Sequence, residues 1–194
     1  MTSVLKVDNI QNSSGTQSME IASNGFVIPP AGGIIQIQYN QLTTGTMSQS
    51  IAANTYVKLN NFPTVTITPV STSSKIMIDV MWNGEFGVVN NTWGSVFTLY
   101  RDDTLIKGNT DSGYNYSGIA VPTTSYTSSD DDSTMEQCIF KYYDEPNTTS
   151  AITYAVGVKL TNADTVRINR VVNASTADGY ERAVSHITAT EIAG

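Results

Sequence analysis

One cysteine, Cys138, and one histidine, His186, stand in 194 residues. A single cysteine excludes an intrachain disulfide, and the two residues together exclude a Cys/His zinc cluster. A Ser-His-Asp triad would have to use His186, and no Gly-x-Ser-x-Gly elbow accompanies it. Positive charge is also scarce. Ten Lys and Arg stand against 17 Asp and Glu, a net charge of −7. So few cations cannot build the basic face that a phosphate backbone needs, nor hold the chain on anionic lipid. Neither nucleic acid nor membrane is expected as a partner. Charged residues make up only 14% of the chain, against about 25% in ordinary soluble domains. Long apolar runs are missing too. The stretch from Phe26 to Ile35 is broken by Pro29-Pro30 and Gly32-Gly33, far short of the roughly 18 apolar residues a helical span requires. The opening Met1 to Asp8 has no basic n-region and no apolar h-region, so synthesis in a cytoplasm without a secretory leader is expected.

What the chain has in quantity is Thr, Ser and Asn, about a third of all residues. No window of a dozen residues keeps the apolar spacing of a helix, whereas period-two alternation recurs. Lys75 to Trp82 sets Ile76, Ile78, Val80 and Trp82 on one face and Lys75, Met77, Asp79 and Met81 on the other. Thr64 to Thr68 alternates Thr with Val and Ile, a pattern suited to a half-buried strand. Ser95 to Tyr100, the polar turn Arg101-Asp102-Asp103-Thr104 and Leu105 to Gly108 read as a hairpin. Further strands are predicted near 34–39, 55–59, 135–143, 152–160, 165–172 and 184–192. About nine or ten short, one-sided strands bury their apolar faces only by packing two sheets together. The predicted fold is all-β, an antiparallel β-sandwich or jelly roll.

Residues 1–30 differ from the rest. Leu5, Val7, Ile10, Met19 and Ile21 are spread over tiny strands with too little apolar area for a core. This piece must lie on the main domain or interdigitate with copies of itself, and Pro29 to Gly33 reads as the boundary before a domain over 34–194. The second irregular region is the loop from Asn109 to Thr134, unusually long for a compact domain.

Several segments are familiar in their order along the chain. Lys141 to Tyr154, the sequel Val166-Arg167-Ile168-Asn169-Arg170, Arg182, and the closing Ser185-His186-Ile187-Thr188 with Glu191-Ile192-Ala193 resemble fibre- and knob-type virion proteins of marine tailed phages, cyanophages especially. The opening Leu5 to Thr16 looks like the attachment segment of such proteins. Val65 to Pro69 with Ser73-Ser74-Lys75-Ile76 resembles their recurring strand, turn, Ser-Ser-Lys, strand step. Ala189 and Thr190 depart from the family, which often carries two large apolar residues there. The resemblance implies a trimeric jelly-roll knob, of the complement and tumour-necrosis-factor type, on a virion appendage. It implies attachment to other virion proteins through the N-terminal segment.

Candidate chemistry is thin. His186 reads as a wall or interface residue, and Cys138, alternating with Ile139 and Phe140, as a small buried hydrophobe. Asp130-Asp131-Asp132 lacks the spacing that wraps a Ca²⁺ ion, and Asp102-Asp103 is a hairpin turn. Paired carboxylates for sugar cleavage are a spatial matter of about 5 to 9 Å, but spike enzymes of that kind need long β-helical bodies for which 194 residues leave no room. No catalysis, cofactor or metal is expected. The aromatic residues Tyr114, Tyr116 and Tyr126 in the long loop, with Trp93 in Asn90 to Gly94, suit stacking on sugar faces. The competing reading is that they pack the loop onto the sheet. The sequence thus points to a homotrimeric fibre or knob in the virion that contacts a host-surface glycan. A capsid decoration or head-fibre protein and a free carbohydrate-binding module remain as alternatives.

Overall fold

In the computed structural model, residues 7–23, 25–45, 47–87, 91, 93–111, 113–123, 134–173 and 180–194 are described. Among them the regular structure is entirely extended. Three short strands come first: β1 (Asn9–Gln11), β2 (Gln17–Ile21) and β3 (Val27–Ile28). Then follow β4 (Ile34–Leu42), β5 (Ser48–Ile51), β6 (Val57–Lys58), β7 (Val65–Ile67) and β8 (Lys75–Gly84). The second half holds β9 (Ser95–Arg101), β10 (Thr104–Ile106), β11 (Glu136–Asp144), β12 (Ile152–Leu160), β13 (Asp164–Arg167) and β14 (Ser185–Ile192).

The chain is an all-β antiparallel sandwich with jelly-roll connections. One sheet has the order β11-β8-β14-β4. The other has the order β10-β9-β12-β6, with β7 also pairing β12. From β8 to β14 the successive long strands alternate between the two sheets, so each layer is stitched from distant parts of the sequence. The alternation in β8 fixes which side faces inward. Ile76, Ile78, Val80 and Trp82 are fully buried against Phe97 and Leu99 of β9 and Tyr154, Val156, Val158 and Leu160 of β12. Trp82 stacks on Phe86 at 5.2 Å between centroids and lies tilted on Phe97 at 5.1 Å. The predicted β9–β10 hairpin forms with Arg101 opposite Thr104. Asp102 takes φ of 53° in its tip, a left-handed conformation Asp tolerates better than most residues.

One local expectation differs from what forms, and one strand was not expected at all. The strand expected over 165–172 ends at Arg167, because Asn169 turns the chain with φ of 62° and its side chain caps the carbonyls of Leu42 and Thr44. β13 pairs instead with β5, a ribbon whose Ser-Gln-Ser sequence carries no alternation to reveal it.

β1, β2 and β3 form a separate small sheet. It lies at the end of the sandwich where β4 begins. There Gly32 donates to the Ala193 carbonyl at 2.7 Å, and Ala193 to Gly33 at 2.8 Å. The same end is closed by buried Glu191. It accepts the Val70 amide at 2.7 Å, the Ser74 hydroxyl at 2.6 Å and the Gln36 amide at 2.6 Å. The opposite, distal end gathers the connections that follow β4, β8, β12 and β13.

Candidate functional site

The distal end owes its shape to two segments tied onto β9 and β12. The first is the turn before β9. Buried Asn91 donates to the Asn162 carbonyl at 3.2 Å and to Asp164 Oδ2 at 3.1 Å, and accepts the Asn162 amide at 3.0 Å. Gly94 accepts the Thr161 amide and hydroxyl at 2.8 and 2.7 Å. This turn holds Trp93 outward, 60% exposed.

The second is the first part of the long loop, which crosses the outer side of β12 at Tyr116 and Ser117 and pairs with the edge of β9 at Ile119 and Ala120. Ile119 donates to the Phe97 carbonyl and Phe97 to Ala120, both at 2.8 Å. Gly118 allows the close approach, since a Cβ there would sit 2.6 Å from Val96 Cβ and 2.9 Å from the Phe97 carbonyl oxygen. Lys159 projects from β12 between two rings, its ammonium 4.9 Å from the Tyr56 centroid and 4.6 Å from that of Tyr116. It donates to the Asn115 carbonyl. The Tyr116 hydroxyl reaches Asn54 Oδ1 and the Leu160 carbonyl, and the Tyr56 hydroxyl donates to Ser117 at 2.7 Å.

Trp93 and Tyr116, 23 positions apart, therefore line one open cavity of about 360 Å³ with Val96, Val121 and Thr161. Tyr116 is half-buried and anchors the loop while presenting one side to this cavity. Tyr114 does not join them. It stands 74% exposed at a separate cleft of about 640 Å³, lined also by Arg101, Lys107, Asn109, Asp111 and Tyr142. That cleft lies at the open side of the sandwich, where β10 and β11 are the edge strands. Tyr126 and the Asp130–Asp132 run lie outside the described residues.

Among the attachment residues, Leu5 lies outside the described residues. Ile10 faces Met19 across β1 and β2, and none of Val7, Ile10, Met19 and Ile21 is buried. Cys138 faces the core, where burial pushes its thiol up to about 12. His186 lies on the outer face of the β11-β8-β14-β4 sheet, its Nε2 3.6 Å from Asp79. Asp79 also accepts Lys141 at 2.7 Å, and this bond and charge hold the Lys141 ammonium above its ordinary range. No three metal-ligating side chains gather among the described residues.

That outer face is the feature sequence reading passed over. Three rows cross all four strands: Tyr143, Met77, Thr190, Ile37; then Lys141, Asp79, Thr188, Tyr39; then Ile139, Met81, His186, Gln41. Tyr39 is 73% exposed, and Tyr143, Ile139 and Ile37 are each more than half exposed. The signal was present in β8 and β11, whose outward positions hold Met77, Met81, Ile139 and Tyr143 where a solvated face would be polar.

No protein-family model matches the chain, and no curated protein matches it.

Proposed function

We propose that the chain is a structural protein of a phage virion, a homotrimeric fibre or knob held to the particle by its N-terminal segment. The apolar outer face of the β11-β8-β14-β4 sheet carries this reading. Exposed apolar side chains gathered on one sheet face suit an interaction surface, and here Ile37, Tyr39, Ile139 and Tyr143 are more than half exposed beside the part-buried Met77 and Met81. A second copy covering it would bury those side chains and leave the Asp79–Lys141 pair at its centre. The N-terminal sheet, with no buried apolar side chain of its own, supplies the virion joint at one end. Trp93 and the cavity it shares with Tyr116 lie at the other end, where an appendage meets a host-surface glycan. Tyr114 offers a second stacking ring on the flank.

The experiment has two arms. The chain lacking residues 1–30 should fold and fail to enter particles, and its incorporation would refute the anchor. Trp93→Ala and Tyr114→Ala in the full chain should assemble normally and reduce adsorption to host cells. Unchanged adsorption of both variants would leave the appendage without this adhesive role.

A further inference from the structure

Three of the chain's ten cationic side chains, Arg167, Arg170 and Arg182, stand at the end of β13 and in the connection to β14 at the distal end. Arg170 and Arg182 stand directly opposite each other as antiparallel bridge partners. Like charges at directly opposed positions destabilise a strand pair. Arg167, three residues upstream, has Asp164 at 3.8 Å. Among the described residues, neither Arg170 nor Arg182 has a carboxylate within ion-pair distance. Arg182 donates to the carbonyl of its neighbour Glu181 at 2.9 Å. Arg170 Nε is buried with no acceptor. The loop after β4 closes over both aliphatic stems: a Cβ on Gly45 would lie 3.1 Å from Arg182 Cδ and 3.6 Å from Arg170 Cβ. Burial first, then the charges of Arg167 and Arg182, holds the Arg170 guanidinium below its ordinary value.

We propose that Arg170 and Arg182 form a binding site for an oxyanion, a carboxylate or sulfate group. Planar guanidinium forks match these groups bidentately. An oxyanion between the two guanidinium groups would cancel the repulsion across the bridge. The net charge of −7 repels anions only at long range and is screened within about 10 Å at ordinary ionic strength. The site does not rest on the trimer or on the aromatic adhesion surface. Its oxyanion is either free in solution or carried by an acidic polysaccharide.

The test uses the full chain with three probes: sodium sulfate, a uronic-acid trisaccharide and a neutral trisaccharide, read by calorimetric titration and thermal melting. Sulfate or uronate should bind and raise the melting midpoint, and the neutral sugar should do neither. Arg170→Gln and Arg182→Gln, which keep most of each stem, should each weaken binding about tenfold or more, the worth of one charge-assisted contact. In sulfate-free, low-salt buffer Arg182→Gln should melt no lower than the natural chain, because it relieves repulsion. Uronate binding tenfold tighter than sulfate would assign the site to an acidic polysaccharide, and equal affinity to a free oxyanion. Binding unchanged within twofold in the double variant would overturn the proposal. So would the absence of binding by both anionic probes.

Discussion

Tyr154 donates its hydroxyl to Asp144 at 2.6 Å, joining β12 of one sheet to the last residue of β11 in the other. Both Asp144 oxygens also accept Arg101, at 3.0 and 2.9 Å. Tyr154→Phe removes one bond and should cost about 1–2 kcal/mol in denaturant unfolding. Asp144→Ala strands both a buried hydroxyl and a guanidinium, and should cost about 3 kcal/mol or more. A smaller loss for the Asp144 variant than for the Tyr154 variant would contradict this arrangement.

The two tryptophans separate core from surface. Trp82→Ala empties the site between Phe86 and Phe97 and should destabilise by about 3–5 kcal/mol. Trp93→Ala lies on the surface and should stay within about 0.5 kcal/mol of the natural chain. Thermal or denaturant melting of the two variants checks the contrast.

Alkaline pH should loosen the fold. Burial pushes the Cys138 thiol up to about 12 and raises the Tyr100 phenol, and burial with the Asp144 bond raises Tyr154 further. These groups hold their protons more tightly when folded. Their contribution is therefore complete below the unfolded values, near 9 for the thiol and 10 for the phenols, and is lost as pH rises through the folded ones. Melting midpoints should be level through neutral pH and fall above about pH 9. At pH 8 a thiol reagent should modify Cys138 only on unfolding. Rapid modification of the native chain would place Cys138 outside the core.

Lys159 clamps the loop through Tyr56, Tyr116 and the Asn115 carbonyl. Lys159→Met should cost about 1–2 kcal/mol in local loop stability. Hydrogen exchange should speed at Ile119 and Ala120 while the β8 amides keep their protection. Unchanged exchange at those two amides would mean that the loop docks without the clamp.

The sandwich was legible wherever one face of a strand is core. In 75–82 the apolar period has a single physical cause, burial on one side, whereas 152–160 is buried on both faces because the long loop covers the side away from the core. Ser48–Ile51 was not legible, because only Ile51 of that strand is buried and the remaining positions follow hydrogen bonding to β13. Aromatic residues at the candidate site were visible by type but not by partner. Tyr114 and Tyr116 are two positions apart, yet one lines the flank cleft and the other the Trp93 cavity. What separates them is a clamp built from Asn54, Tyr56 and Lys159, residues distant in sequence. The Arg170–Arg182 pairing likewise depends on a return of the chain that no local pattern encodes.

Sedimentation equilibrium of the full chain, beside a Tyr39→Asp, Ile139→Asp variant, tests the central claim most directly. The account predicts three times the 20.9 kDa chain mass for the natural sequence, and a folded monomer for the variant. A monomeric natural chain, or a trimer unaffected by charges placed on that sheet face, would contradict it.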